Sequence, residues 1–550
     1  MTNPSFNLLD EPWIQAVEHN GTIAEVSLLE VFTRPRDFSR LTGDLVTQEA
    51  AIFRLLLAIM HRAVRGPEDI DHWEELYRDE ETTLRTVRDY LERFRSRFDL
   101  RHPSEPFLQV ANLRTTSGTT APLNSLIQDV PTNHAFLTTR RGRGLDGISW
   151  AEAARWLLAI HAFDISGIHS GAVGDPRVKN GKGYGIGVGW AGELGLITVR
   201  GDCLWNTLMF NLVAAGEVAA LSEWNFDEDL PPWELPQQTE KTADPAGLDP
   251  RGPVQCYTWQ SRRILLFGED DVTSALICQG DKITAGNRQT VEPQTAWRYS
   301  KPQSKTTDVY MPQKFFDEVL AWRGMRAIIA HLVDPMKMRS GEMGPGQLPS
   351  ATIEWFGTLL EELPELVGDG RHYPVELLSV NYGTQAAVID EIVTDSFVLP
   401  RSLLKKNPEI VAAVKSSILL AEQVGSELWG FGRNLSSAAG ARSDSDNAKS
   451  NGDRLRQEFY LVMERHFRRW AQDLATPTGP AIARWQHLLN AEARRVSQMA
   501  VARVPVTAHR GGSRGFAGSN IDVGKAVRIF NAGLRRLLPE VYPPREDNKK

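Results

Sequence analysis

Several loop-like segments of the sequence gather side chains that are suited to contacting nucleic acid. The first segment, TNHAFLTTRRGRG at 132–144, sets Arg140, Arg141 and Arg143 beside Phe136. Guanidinium groups pair with phosphates, and an exposed aromatic ring can stack on bases. On composition alone the favoured interpretation is a solvated surface loop, because runs of charge are usually just solvated.

A second segment, DISGIHSGAVGDPRVKNGKGYG at 164–185, combines many glycines with Arg177, Lys179 and Lys182. Glycine lets the backbone approach a ligand closely and leaves its N–H groups unobstructed, so this segment could enter a minor groove. A long flexible connection explains the same composition equally well.

The third segment, WRYSKPQSK at 297–305, places Arg298, Lys301 and Lys305 on an extended stretch that is broken by proline. By itself this pattern is weak. The fourth segment, SVNYGTQAAVIDEI at 379–392, predicts a tight polar turn before a helix. An ordinary turn with Thr or Asn as the capping residue accounts for it without any function.

The sequence offers little to an enzyme. The stretch GAVGDPRVKNGKG at 171–183 lacks the GxxxxGK[ST] spacing that wraps a phosphate, and HExxH does not occur. Histidine and aspartate pairs such as His161 with Asp164 have no third ligand nearby in the sequence. We therefore expect no catalytic residue, no cofactor and no metal. The enzyme alternative is a metal-dependent nuclease, whose carboxylates would come from SEWNFDEDLPPWELP at 222–236.

Composition limits the class of protein. The chain has 550 residues, of which 41% are hydrophobic, so it should divide into at least two domains. Its three cysteines cannot form a disulfide framework or a four-thiolate zinc site. The sequence lacks a signal-peptide pattern and a long apolar run, so we expect a soluble, cytoplasmic protein. A net charge of -7 restricts any nucleic-acid binding to local basic patches.

Two differently built regions must position these segments. Residues 1–398 read as a large, irregular mixed α/β domain, with helices at 47–65 and about 81–98 and short strands at 264–267 and 274–278. Residues 399–550 read as long amphipathic helices, the first of which begins after Asn407 as the N-cap. A Ser/Ala/Asp/Asn stretch at 436–453 predicts a flexible connection. Apolar stripes on four helices predict a four-helix bundle, so the fold class is α+β.

Taken in order, these pieces resemble the CasA family, the large subunit of Cascade, which is the type I-E CRISPR surveillance complex. The resemblance spans nearly the whole chain, and no single motif is diagnostic. It is carried by NLLDEPWI at 7–14, EPFLQV at 105–110, NHAFL at 133–137, the glycine-rich segment after it, YTWQSRRILL at 257–266, YGTQAAVIDE at 382–391, and the terminal helices with RQEFYLVMERHF and AVRIFNAGLRRLLPE.

The resemblance implies a non-catalytic subunit that checks the protospacer-adjacent motif (PAM) in duplex DNA while guide pairing reads the remaining sequence. The implied partners are the crRNA and the other Cascade subunits, PAM-containing double-stranded DNA, and a helicase-nuclease that is recruited after the R-loop forms. Some family members carry a cysteine cluster that looks like a zinc site, which Cys256 and Cys278 cannot reproduce. A scaffold whose basic loops bind only RNA or neighbouring subunits is the other alternative.

The family's functional residues carry over by position. Its glycine loop, which probes the PAM from the minor groove, falls on Ser166 to Gly171, with Gly167 and Gly171 as the clearest matches and His169 and Ser170 where glycine is commoner. The probing lysine falls on Lys301 or Lys305. The strand-separating wedge falls on Gln385, flanked by Gly383 and Thr384. The segment that anchors the subunit near the crRNA 5′ end falls on Phe136 and Leu137, with Arg140, Arg141 and Arg143 beside them.

Overall fold

The structure is a computed structural model. It describes residues 5–130, 140, 146–221, 224–241, 248–316, 325–329, 332–368, 373–399, 401–404, 407–442, 444–474, 476–510 and 521–543. Backbone contacts divide the chain into two compact units. The second unit holds what is described after Ser396, together with 325–329 and Leu332.

Helices and strands follow one another irregularly before residue 400, and long helices follow it. The helices are α1 (Leu28–Val31), α2 (Val46–Val64), α3 (Ile70–Arg78), α4 (Glu80–Arg93), α5 (Trp150–Phe163), α6 (Leu204–Asn211), α7 (Pro253–Tyr257), α8 (Met325–Ile328), α9 (Ala351–Glu362), α10 (Arg401–Leu404), α11 (Pro408–Ala438), α12 (Asp446–Gln472), α13 (Gly479–Ala502) and α14 (Val523–Leu537). No helix within the described ranges is long and apolar enough to cross a membrane.

The described strands all lie before residue 400 and form several small sheets. The strands are β1 (Ile14–Glu18), β2 (Ile23–Val26), β3 (Phe38–Thr42), β4 (Ala121–Pro122), β5 (His169–Ser170), β6 (Lys182–Gly183), β7 (Gly195–Val199), β8 (Arg262–Gly268), β9 (Val272–Gln279), β10 (Trp297–Tyr299), β11 (Tyr310–Pro312), β12 (Met336–Lys337), β13 (Met343–Gly344), β14 (Gln347–Leu348), β15 (Tyr373–Tyr382) and β16 (Ile389–Leu399). The sheet orders are β2-β1-β3, β4-β9-β8, β5-β6, β11-β10-β14, β12-β13 and β16-β15-β7.

Local patterns placed several of these elements correctly. The apolar run predicted as a helix at 47–65 is α2, and the two predicted short strands lie inside β8 and β9, where Ile264 pairs with Ile277. The helix predicted at about 81–98 ends earlier, because α4 stops at Arg93 and a 3-10 turn, Arg95–Phe98, follows it.

The core of the first unit lies around α2, which is buried on nearly every side. Arg54 of this helix is 2% exposed and forms an ion pair of 2.7 Å with Glu292, which is fully buried. The indole of Trp190 donates a hydrogen bond to the same carboxylate. A buried charge is tolerated only when it is paired and hydrogen-bonded, so this cluster fixes how α2 meets the segment around Glu292.

Among its described residues, the second unit contains four long helices, α11 to α14, each with a buried apolar stripe. Asn407 caps α11 as predicted, since its side chain accepts hydrogen bonds from the backbone of Glu409 and Ile410. Phe467 and Trp470 of α12 pack against Trp485 of α13. A mixed chain with a helical C-terminal region confirms the α+β prediction.

The prediction of a flexible connection at 436–453 was wrong. Most of it is helical, because α11 continues to Ala438 and α12 begins at Asp446, capped by the Ser445 hydroxyl. Its small residues serve close packing: a Cβ on Gly432 would lie 2.9 Å from the Cα of Gly452 on the facing helix. A composition typical of linkers is also what lets two helix backbones approach each other.

Candidate nucleic-acid interface

The glycine loop, residues Ser166–Gly171, follows the C-terminus of α5 and contains strand β5. His169 pairs with Gly183, and Ser170 pairs with Lys182, so the end of the loop forms a two-residue strand that is antiparallel to β6. Ser170 is exposed, whereas the side chain of His169 is 14% exposed. The loop therefore has one edge facing solvent and one edge held by the protein.

A buried arginine holds the inner edge of the glycine loop. Arg262 is fully buried and donates hydrogen bonds to the Asp164 carboxylate and to the carbonyls of Ile165 and Gly187. The same carboxylate lies 2.9 Å from Nε2 of His169. Burial alone would raise the pKa of Asp164, but the charges of Arg262 and His169 outweigh it and lower the pKa to about 2. The carboxylate thus stays ionised and anchors the loop.

The two glycines of the loop differ in what the fold requires of them. A Cβ on Gly171, which is buried, would lie 2.9 Å from the backbone of Gly181, so packing excludes a side chain there. A Cβ on Gly167 would meet only the side chain of Ile165, at 3.3 Å. The carbonyl of Gly167 accepts a hydrogen bond of 2.9 Å from Gln279. A small side chain at Gly167 would therefore require the end of the Ile165 side chain to shift by a few tenths of an ångström.

The polar turn, residues 383–388, joins β15 to β16, which are neighbours in one sheet. The prediction that a helix follows this turn was wrong. Residues 389–399 are rich in Val, Ile and Thr, which favour a strand, and they extend the sheet as β16 instead. The turn therefore caps a long hairpin.

The backbone of the polar turn is strained. Gln385 and Ala386 both have positive φ, 57° and 53°, which side-chain-bearing residues rarely adopt. The amide of Ala387 donates a hydrogen bond of 3.3 Å to the carbonyl of Thr384, so residues 384–387 resemble a type I′ turn. The two central residues of such turns are usually Asn-Gly, whereas here they are Gln385 and Ala386. Left-handed backbone at such residues costs roughly 1–2 kcal/mol each and persists where the surroundings hold it. Thr384 and Gln385 are exposed at the tip.

The structure brings the glycine loop and the polar turn together. The backbone amide of Ser166 donates a hydrogen bond of 2.8 Å to the carbonyl of Ala386. Tyr382, just before the turn, donates from its hydroxyl to the carbonyl of Phe163, at 2.7 Å. Two segments that lie far apart in the sequence are thus in direct contact.

The lysines predicted for this site lie on a different loop. Lys301 and Lys305 are exposed between β10 and β11, and the carbonyl of Lys305 accepts a hydrogen bond from Arg339. Lys282, which no sequence pattern singled out, is an exposed lysine whose Cε lies 3.5 Å from the position of a Cβ on Gly187. Gly187 is the residue whose carbonyl Arg262 holds, so Lys282 lies beside the support of the glycine loop.

The basic residues of segment 164–185 are not equivalent. Arg177 forms an ion pair of 2.8 Å with Asp175 and donates to the carbonyl of Gly280, so its guanidinium has a structural task. Lys179 and Lys182 are exposed. They are therefore the cations that this segment presents to solvent.

Of the predicted anchoring segment, only Arg140 is among the described residues; Phe136, Leu137, Arg141 and Arg143 lie outside them. The guanidinium of Arg140 is surrounded by carboxylates, at 2.6 Å from Glu152, 3.0 Å from Asp129 and 3.5 Å from Asp44. Its side chain is 16% exposed. The charge of Arg140 is thus already neutralised within the protein. Its carboxylate partners are not its neighbours in the sequence, so the sequence alone could not predict this role.

The acidic segment considered for a nuclease has structural roles. Asp229 is buried and accepts hydrogen bonds from the backbone at the start of α7 and from the Trp224 indole. Glu234 pairs with Arg62 at 2.6 Å. In the part of the chain that the structure describes, no group of three or more His, Cys, Asp or Glu side chains could hold a metal ion. The three cysteines are buried and free.

Comparisons with solved structures give the class of protein first. Cse1 from Thermobifida fusca has the same fold, with a TM-score of 0.86 and 37% identity over 98% of this chain and 99% of that chain. A chain of a CRISPR RNA-guided surveillance complex shares the fold at 18% identity and a TM-score of 0.68, over 97% of this chain and 99% of that chain. The fold is therefore that of a CRISPR-associated protein.

The family follows from the sequence match. The family model of CRISPR-associated protein Cse1 matches residues 7–496, and the chain belongs to this family. A curated relative, CasA/Cse1 of Thermus thermophilus, is 27% identical over 460 residues, which cover 81% of this chain and 80% of the relative. The resemblance to the CasA family is thereby confirmed.

Proposed function

We propose that this chain is the non-catalytic large subunit of a crRNA-guided type I-E Cascade complex. In that complex it recognises the PAM of double-stranded DNA from the minor groove and helps to open the duplex for R-loop formation. Its partners are the crRNA, the other Cascade subunits, PAM-containing duplex, and a helicase-nuclease that it helps to recruit after R-loop formation. Membership of the Cse1 family and the fold shared with a surveillance-complex chain support this role.

The observation that carries the proposal is the hydrogen bond between Ser166 and Ala386. A reader of duplex DNA that also opens it needs its reading loop and its wedge side by side, because the first base pair to open adjoins the PAM. The glycine loop and the polar turn meet this requirement, and the exposed Gln385 is placed at the tip of the hairpin.

Individual residues take separate tasks in this proposal. The glycine loop reads the minor groove through the backbone of Gly167 and through the exposed Ser170. Gln385, with Thr384, occupies the space of the first displaced base pair. Lys282 joins Lys301 and Lys305 as a candidate for the lysine that probes the PAM. Phe136, Leu137, Arg141 and Arg143 anchor the subunit near the crRNA 5′ end.

The structural roles of the acidic residues argue against the nuclease alternative. Two-metal chemistry needs carboxylates that converge on one point. Asp229 instead caps α7, and Glu234 neutralises Arg62. Incubating the pure protein with DNA and Mg²⁺ or Mn²⁺ tests this directly, and the expected result is no cleavage.

The proposed function is tested by R-loop kinetics on two targets, one fully paired and one mismatched over the first base pairs beside the PAM. Replacing Thr384 and Gln385 by alanine together should slow R-loop formation on the paired target by about tenfold or more, because unstacking a base step costs a few kcal/mol that the wedge offsets. The pre-opened target should be nearly unaffected. Equal slowing on both targets would show that the turn serves only to stabilise the hairpin.

A further inference from the structure

Tyr382 links the base of the polar turn to helix α5. Its hydroxyl donates to the carbonyl of Phe163, the last residue of that helix, at 2.7 Å. Its ring lies under the ammonium group of Lys314, 5.0 Å from Nζ, and packs against Gly192 so closely that a Cβ there would overlap the phenol oxygen. Burial raises the pKa of Tyr382 well above its usual value, so the hydroxyl keeps the proton that it donates.

A second hydrogen bond links the polar turn to the same region, on the C-terminal side of Gln385. The carbonyl of Ala386 accepts the amide of Ser166 at 2.8 Å. These two hydrogen bonds, one from Tyr382 and one to Ala386, lie on either side of Gln385 in the sequence. Their other partners both lie within the four residues 163–166. This short segment is also where the glycine loop begins.

The segment 163–166, which takes part in both hydrogen bonds, is itself held by buried contacts. Within 163–166, Asp164 and Ile165 are held by the fully buried Arg262. The amide of Gly189 donates to the carbonyl of Asp164 at 2.9 Å, and Gly189 packs against the backbone of Ala162 with no room for a side chain. The glycine loop and the polar turn are therefore both bonded to a segment that buried contacts hold in place.

We propose that these two hydrogen bonds couple PAM reading to strand separation, with Tyr382 as the positioning residue. When the glycine loop is seated in the minor groove, Tyr382 fixes the position at which Gln385 meets the first base pair. The strained backbone of Gln385 and Ala386 is held in its left-handed conformation by the same hydrogen bonds. This inference rests on the proposed function and assigns to Tyr382 a task that acts only through Gln385.

The test uses Tyr382→Phe in the reconstituted complex with crRNA. The variant removes one hydroxyl and keeps the ring. R-loop formation on a fully paired target should slow by about two- to tenfold, the range that corresponds to the loss of one ordinary hydrogen bond. The rate on a target that is pre-opened beside the PAM, and the ratio of affinities for PAM-containing and PAM-less duplex, should stay within twofold of the wild type.

A double-mutant cycle separates positioning from general stability. In a Gln385→Ala background, Tyr382→Phe should slow the paired target no further, because the residue through which it acts has gone. The matched control is Tyr77→Phe, which removes a hydroxyl hydrogen bond of 3.0 Å to Asn206 and should change neither rate. Thermal melting of each variant checks that the fold is retained.

The outcomes distinguish the coupling from the function on which it rests. Additive slowing, equal slowing on both targets, or an unchanged rate in Tyr382→Phe overturns the coupling while leaving the proposed function intact. If the wild-type complex itself ignores the PAM, or gains nothing from a pre-opened target, both proposals fall together.

Discussion

Gly167 and Gly171 share a loop but are glycines for different reasons. Packing against the backbone of Gly181 excludes a side chain at Gly171, whereas a Cβ at Gly167 would meet only the end of the flexible Ile165 side chain, at 3.3 Å. A side chain at Gly167 requires only that the end of the Ile165 side chain shift by a few tenths of an ångström, so a loss of function in a variant that keeps its melting temperature is assigned to the ligand.

Gly167→Asp should weaken binding to PAM-containing duplex by about tenfold or more, because a carboxylate adds both bulk and negative charge where a minor groove would lie. Gly167→Ala should have a smaller effect, and both variants should melt near the wild-type temperature. Gly479→Asp supplies the matched control, since a Cβ at Gly479 meets nothing within 4 Å. Full PAM discrimination by Gly167→Asp would place the reading surface elsewhere.

Substitution can show which of the three candidate lysines, Lys282, Lys301 and Lys305, probes the PAM. Lys282→Ala should reduce the preference for PAM-containing over PAM-less duplex, because Lys282 lies beside Gly187 and the support of the glycine loop. Lys301→Ala and Lys305→Ala should weaken both duplexes about equally, as a phosphate contact does. Titrations at several salt concentrations measure both effects. The reverse ranking would return the probing role to the loop between β10 and β11.

Among the elements, α11 and α12 show how small residues set the spacing of helices. A Cβ on Gly432 would lie 2.8 Å from the carbonyl oxygen of Asn451 and 2.9 Å from the Cα of Gly452, and backbone atoms cannot swing aside. Gly430, on the same helix, has nothing within 4 Å of its Cβ position. One helix thus contains a glycine that packing requires and another that it does not.

Alanine at these two positions should act in opposite directions. Gly432→Ala should destabilise the second unit by about 1–3 kcal/mol, because the helices must separate. Gly430→Ala should stabilise it by about 0.5–1 kcal/mol, because alanine costs less backbone entropy within a helix. Urea unfolding followed by circular dichroism measures both. The same sign for both variants would contradict the close approach of α11 and α12.

For the molecule as a whole, two buried histidines make stability depend on pH. Burial lowers the pKa of His61 and of His161 to about 4, although each ring also bonds to a backbone carbonyl. In the unfolded chain both titrate near pH 6.5. Between these values the unfolded state binds more protons than the folded state, so the free energy of unfolding falls as the pH falls.

Between pH 7 and pH 5, each histidine should lower the free energy of unfolding by about 2 kcal/mol. Asp229 acts in the opposite sense, because burial raises its pKa to about 6 and the folded state gains a proton there first. It offsets one part of the loss. Thermal melts at the two pH values should show lower stability at pH 5, and His161→Gln should reduce the difference.

Patterns that span a few neighbouring residues determined much of this protein directly. The apolar run of α2, the stripes of α11 to α14, the strands β8 and β9 and the Asn407 cap follow from periodicity and capping, which depend on residues within a turn or two. The order of short motifs along the chain led to the CasA family.

Only the tertiary structure decided how the site is assembled. The meeting of Ser166 with Ala386, the position of Lys282 beside Gly187 and the neutralisation of Arg140 all join residues that are distant in the sequence. Residues 389–399 form a strand that lies beside β15 in a sheet. Most of 436–453 is helical because the facing helix supplies a packing surface for residues whose composition is typical of linkers. Hydrogen bonds and close packing between distant segments depend on topology, which no local pattern encodes.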